Sequence, residues 1–172
     1  CTHPVVLFLD EVDRATPEVR QGIFELTDSR KLAGFTLHQD TLIFAAVNGG
    51  EHGEQYQVGE MDPAELDRWT VFDVEPTTED WLDWAGDVVH PVIWNFINQN
   101  HAHLEHKDDY EPNKVYPSRR SWHRLSECLE AGSLLEEGAN SGIVFNLTNS
   151  FVGFEAAVAF KDFVDNYERQ VT

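Results

Sequence analysis

Apolar and polar positions alternate with different periods in the two halves of the chain. "VVLFL", residues 5–9, is a continuous apolar run, the pattern of a strand covered on both faces. "TPEVRQGIFEL" follows, with Thr16 placed to cap a helix, Pro17 in its first turn and Glu18 suited to the N-terminal dipole. Val19, Ile23 and Leu26 give that helix an apolar stripe. "RKLAGFTLHQDT" reads as a hairpin turning near Gly34, and "LIFAAVN", residues 42–48, as a second buried strand. A Gly-rich loop comes next, then a short helix over residues 63–69 and a third short strand over "TVFDV", residues 70–74. Strands alternating with helices predict a parallel α/β sheet.

Beyond Pro76 the period becomes helical. "TTEDWLDWAGDVVHPVIWNFINQNHAHLEH" predicts helix from a cap at Thr77 or Thr78, with a break at His90-Pro91. "KDDYEPNKVYPS" reads as a loop. "RRSWHRLSECLEAG" is an amphipathic helix stopped by Gly132, and residues 152–171 form a final helix. The expected organisation is an α/β part over residues 1–76 and a helical part over residues 77–172.

Composition narrows the function classes. Five Trp and eleven Phe are enough for a packed core. Thirty-one acids against 12 bases give a formal charge of −19, so most of the surface repels nucleic-acid backbones and anionic membranes. No apolar run approaches the roughly 20 residues of a membrane span, and no signal-peptide pattern opens the chain. Two cysteines, Cys1 and Cys128, make neither a disulfide framework nor a zinc pattern, so a reducing, cytoplasmic setting is expected. The first residue is Cys rather than Met, which favours a piece of something longer over a natural remnant.

The chemistry concentrates at Asp10-Glu11, where an apolar strand ends in two adjacent acids. An aspartate there suits a Mg²⁺ ion that keeps several waters. The glutamate after it suits a group that orients or deprotonates a water attacking a phosphate. The plainer reading is a strand end with two solvated acids. Asn48, at the end of the second strand, is either a polar group that orients phosphate without repelling it or a simple strand terminator. Arg68 is either a phosphate-directed guanidinium or a helix-end arginine paired with Asp67 or Glu65. "HAHLEH", residues 101–106, does not place three ligands on one helical face, so it reads as a solvated helix end. Trp81, Trp84, Trp94 and Phe96 read as core, since no basic residues interleave them.

Residues 10–48, "DEVDRATPEVRQGIFELTDSRKLAGFTLHQDTLIFAAVN", resemble the AAA+ ATPases of the MoxR group. In that group the acid pair is followed by Asn-Arg-Ala-Pro, a helix, a hairpin and a strand ending in Asn. Here the run is Asp13-Arg14-Ala15-Thr16-Pro17, with Asp for the usual Asn. Glu54, Tyr56, Pro63, Leu66, Asp67 and Arg68 stand where the group carries its Glu/Gly/Tyr loop and its Pro-Glu-x-x-Leu-Asp-Arg-Phe segment, with Trp69 for Phe. The resemblance extends over residues 5–74 and weakly beyond.

The resemblance implies a partial P-loop NTPase sheet followed by a helical lid. It makes Asp10 the Walker B magnesium-site acid, Glu11 the catalytic acid, Asn48 the sensor-one residue and Arg68 an arginine finger for a neighbouring subunit. Arg14 is a second candidate for an inter-subunit contact. "YPSRRSW" is similar to the Ser-Pro-Arg-Ala-Ser start of the lid helix, which gives Arg119, or alternatively Arg120, the sensor-two role. ATP and Mg²⁺ are then the ligands of the parent protein. Its partners would be like subunits in a ring, a hexamer by the resemblance, and a von Willebrand factor A domain protein, in chaperone-like remodelling.

A Gly-x-x-x-x-Gly-Lys-Ser/Thr loop is absent from the 172 residues. This chain by itself is therefore expected to bind neither ATP nor Mg²⁺ tightly. The alternative is a stand-alone interaction module that keeps the fold of an ATPase half without its catalysis.

Overall fold

The computed structural model describes residues 2–48, 63–136 and 140–171. The chain divides into two compact units, Cys1–Asp73 and Val74–Thr172. The protein is a mixed α/β chain with a small parallel sheet and several helices.

In the first unit β1 (Val6–Leu9) leads through a 3-10 turn, Val12–Arg14, into α1 (Pro17–Ser29). A hairpin of β2 (Lys31–Leu32) and β3 (Phe35–Thr36) follows, then β4 (Leu42–Ala45) and α2 (Pro63–Leu66). The hairpin turns at Ala33 and Gly34, whose φ values of 47° and 86° are both positive, as a type I′ turn requires. Pro17 opens α1 as its fixed φ favours. Thr16 does not cap it by a side-chain bond. Its hydroxyl serves the Glu18 carboxyl, which titrates below its ordinary value because its own main-chain N–H and then Thr16 hold the anion.

β1 pairs with β4 in parallel, Val6 opposite Leu42 and Leu9 opposite Ala45. Their continuous apolar runs predicted cover on both faces, but among the described residues only one face is covered. Leu7 and Leu9 look towards Leu26 of α1 and the hairpin across an apolar cleft. On the other face Val6 and Phe8 are 67% and 60% exposed, with Leu42 and Phe44 beside them. Among the described residues the sheet has two strands and a layer over one face. The expected third strand, residues 70–74, does not form. That segment lies outside any ladder, with Phe72 79% exposed. An apolar pattern yields a strand only where a neighbouring edge accepts its backbone groups.

The second unit is helical: α3 (Thr78–Ala85), α4 (Pro91–Gln99), α5 (Arg119–Ala131), α6 (Ser141–Val152) and α7 (Phe154–Val171). Four of the five starts carry a local cause. Thr77 and Asp80 form a capping box on α3, and Ser118 and Ser121 form one on α5. Pro91 stands in the first turn of α4, and the His90 ring accepts from the Val92 N–H at 3.2 Å. Asn140 accepts from the Gly142 and Ile143 amides at the start of α6. Gly132 closes α5.

The core of this unit is aromatic. The rings of Phe96, Trp122 and Phe160 meet pairwise at 5.3–5.7 Å, and all three are buried. The Trp122 indole N–H donates to the His103 carbonyl at 2.8 Å, so its polar edge is satisfied. Trp81 and Phe96 are core as expected, whereas Trp84 is half-exposed. Cys128 is a half-buried free thiol on α5.

The single helix expected over residues 152–171 is divided by Gly153, at φ 81° and ψ 170°. That backbone region is essentially restricted to glycine. A Cβ at Gly153 would lie 2.2 Å from the Val115 carbonyl oxygen. The corner between α6 and α7 therefore closes on the 115–116 backbone only without a side chain. Gly153→Ala is expected to destabilise the protein by about 3 kcal/mol, read as a shifted midpoint in urea unfolding followed by Trp fluorescence.

The α3 capping box predicts a pH response. Asp80 accepts from the Thr77 N–H and hydroxyl, both at 2.7 Å. The main-chain bond from Thr77, then its hydroxyl, then the charge of Arg119 hold the Asp80 carboxyl below its usual value. A depressed folded value means stability that is complete above the unfolded value of about 3.9 and is lost as pH falls through the folded value. The gap in melting temperature between wild type and Asp80→Asn is expected to close as pH falls from about 5 towards 2.

Candidate functional site

The sheet ladder continues beyond the last strand residues. The Ala46 N–H donates to the Leu9 carbonyl at 2.9 Å, and the Val12 N–H donates to the Ala46 carbonyl at 3.4 Å. Parallel pairing brings both carboxyl ends to the same edge, so Asp10-Glu11 and Asn48 emerge together. Ligands of open α/β sheets bind outside that edge.

Asp10 follows β1 directly and is exposed. Glu11 is in the left-handed region, at φ 53° and ψ 41°. A left-handed residue other than Gly, Asn or Asp is uncommon, and such conformations cluster at functional sites. Here it turns the chain sharply out of β1 into the 3-10 turn. The Glu11 carboxylate pairs with Arg14 at 3.3 Å, with both side chains about half-exposed. An exposed pair of this kind contributes little stability.

Asp13 is only 4% exposed. Its Oδ2 accepts the main-chain N–H of Asn48 at 2.9 Å, and its Oδ1 has no hydrogen-bond partner among the described residues. Sequence reasoning noted Asp13 only as a replacement for the family's Asn. Its partner lies 35 positions away, and no local pattern announces the contact. Asn48 itself is exposed.

A cleft of 490 Å³ opens beside the acids. Phe8, Val19 and Ile23 supply an apolar wall, and Asp10, Glu11 and Arg14 supply polar groups. Such a mixture is suited to a ligand with one apolar and one charged end. Among the described residues no three His, Cys, Asp or Glu side chains converge as a metal cage. A single carboxylate such as Asp10 fits a Mg²⁺ ion that arrives with phosphates and keeps its waters. Glu54 and Tyr56 of the resemblance lie outside the described residues.

Arg68 follows α2 and folds back on its own unit. Its Nε donates to Asp28 at 3.0 Å, one Nη donates to the Ala64 carbonyl, and the guanidinium lies 4.6 Å from the centre of the Phe24 ring. The partner is thus Asp28 on α1, neither Asp67 nor Glu65. Glu65 instead pairs with Arg20 at 3.2 Å, with both side chains largely buried, and this ties α2 to α1.

Arg119 and Arg120 lie at the start of α5 in the second unit. Arg119 grips Glu105 with Nε at 3.0 Å and Nη2 at 3.2 Å, a bidentate fork. It also donates to the Thr77 carbonyl at 3.0 Å and the Pro76 carbonyl at 2.7 Å. Four of its five N–H bonds are thereby engaged. Arg120 is exposed, and no described group hydrogen-bonds or ion-pairs with it. "HAHLEH" falls on a 3-10 turn, His101–His103, and the residues after it. No helix among the described residues is long and apolar enough to cross a membrane.

No protein-family model matches the chain, and neither a curated protein nor a solved structure is significantly similar to it.

The two adjacent arginines separate by experiment. Arg119→Ala removes the hydrogen bonds that Arg119 gives to Glu105 and to two carbonyls and is expected to cost about 1–2 kcal/mol in denaturant unfolding. Arg120→Ala is expected to cost less than about 0.5 kcal/mol in the same measurement.

Proposed function

We propose that the chain is a portion of a MoxR-like AAA+ ATPase, contributing the metal-and-water half of an ATP site and a helical lid. Its fold is then a partial P-loop NTPase sheet, incomplete without a phosphate-binding loop outside these 172 residues. The observation that carries this reading is the pairing of β1 with β4. It sets the strained Glu11 turn and Asn48 side by side at the carboxyl edge of a parallel sheet.

In this reading Asp10 would hold a Mg²⁺ ion, which would neutralise phosphate charge when a nucleotide is bound. Glu11 takes the proton of the attacking water, and Asn48 orients that water or the terminal phosphate through its uncharged amide. Arg68 reaches a neighbouring subunit after leaving Asp28. Of the lid arginines, Arg120 has its guanidinium open to a phosphate, while Arg119 anchors α5. Turnover would drive chaperone-like remodelling of a partner in a ring of like subunits, with a von Willebrand factor A domain protein as a candidate partner.

A second reading has its own support. The sequence contains no phosphate-binding lysine loop, and Arg68 and Arg119 are both engaged by acids of their own units. A non-catalytic interaction module would need none of them free.

The test is phosphate release by the protein as encoded in its full reading frame. Glu11→Gln is expected to lower kcat by about 10²–10⁴ while ATP affinity stays within about threefold, since an amide keeps the shape but takes no proton. The isolated 172-residue chain is expected to show no saturable Mg-ATP binding by calorimetry. A full-frame protein without turnover would favour the interaction module, and turnover by the isolated chain would remove the need for an outside loop.

A further inference from the structure

Asp13 carries a buried carboxyl group for which the stability of the fold gives little reason. Its carboxylate is 4% exposed, it accepts one hydrogen bond, and Oδ1 has no partner among the described residues. Burying a polar oxygen without a hydrogen bond is unfavourable, and each such group in a folded protein calls for a specific cause. The one bond it makes is informative. The acceptor Oδ2 belongs to the turn that follows Glu11, and the donor is the main chain of Asn48.

The ladder between β1 and β4 has its last main-chain rung at Val12 and Ala46, at 3.4 Å. One residue after Val12 and two after Ala46, the Asp13 side chain supplies a shorter rung of 2.9 Å to the Asn48 N–H. No main-chain carbonyl of the turn takes that place, because the turn has left the strand direction. The Ala15 N–H returns to the Val12 carbonyl and the Arg14 N–H to the Glu11 carbonyl, so the turn closes on itself. Asp13 thus adds a side-chain tie, beyond the Val12–Ala46 rung, between the closed acid turn and the segment after β4.

We propose that Asp13 is a positioning residue, whose carboxylate fixes the Asn48 backbone against the Glu11 turn and so sets the distance between the water-activating acid and the phosphate-sensing amide. The proposal rests on the ATPase reading for its consequence, though not for the contact itself. Misplacement of about 1 Å in such a pair costs on the order of 10²-fold in rate.

Two substitutions separate the bond from the charge. Asp13→Asn keeps an acceptor oxygen of the same shape, and Asp13→Ala removes it. Hydrogen exchange resolved at the Asn48 amide reads the contact. Protection is expected to fall at least tenfold in Asp13→Ala and to return in Asp13→Asn. Steady-state turnover of the full-frame protein reads the positioning. Asp13→Ala is expected to lower kcat about 10- to 100-fold, with KM for ATP within about threefold, and Asp13→Asn is expected to recover most of it. Unchanged Asn48 exchange in Asp13→Ala would overturn the contact. Lost protection with unchanged kcat would overturn the positioning role and leave a structural bond. A wild-type protein without turnover would sink the ATPase reading, and the exchange measurement would then decide the Asp13 contact alone.

Discussion

The parallel pairing of β1 with β4 is the constraint on which the candidate site depends. Parallel neighbours need a long crossover, and here α1 and the β2–β3 hairpin span the distance. The reward is directional. Both strands run out at the same edge, so two segments separated by more than 30 residues deliver their polar ends together. An antiparallel pair would send Asp10 and Asn48 to opposite edges. The ladder is carried outward by Ala46 to Leu9, by Val12 to Ala46 and finally by the Asp13 side chain. Each rung shortens the free backbone between the last strand residue and the functional side chain. Glu11 can occupy a strained conformation because the residues on both sides of it are fixed by those bonds.

Much of this was legible in the sequence where the cause is local. Pro17, Gly34, Pro91, Gly132 and the Thr77 cap act within three or four residues. The corresponding helix starts, turn and helix stop were predicted near where they lie. Where the cause is distant the reading failed. Residues 70–74 have the composition of a strand, yet no strand partner exists among the described residues. Helix α6 went unassigned because "SGIVFNLTNSFV" has a weak polar face, and Gly153 was read inside a helix it interrupts. Asp13 with Asn48, Arg68 with Asp28 and Arg119 with Glu105 meet across 35, 40 and 14 positions. Residue types at spacings suggest candidates, but only the chain path decides which acid a given arginine finds.

The charge balance explains why those arginines are engaged. With 31 acids and 12 bases, a basic side chain that can fold back onto a carboxylate has one within reach. Arg14, Arg20, Arg68, Arg119, Lys114 and Lys161 all do so. The same excess acts on the site. Asp10, Glu11 and Asp13 stand at one strand end, with Arg14 as a cation beside them already paired to Glu11. A nucleotide brought to that edge adds several negative charges to an acidic surface. The repulsion is overcome only if cations come with it: a metal ion on Asp10, and guanidinium or ammonium groups from another segment or subunit. The ion pair of Arg68 with the half-exposed Asp28 contributes about 1 kcal/mol or less, and the Ala64 carbonyl and the Phe24 ring hold the guanidinium as well. The buried Arg20–Glu65 pair is different, since separating it would strand two charges away from water. The unit therefore combines a buried ion pair that ties α2 to α1 with an adjacent, more exposed pair between Arg68 and Asp28.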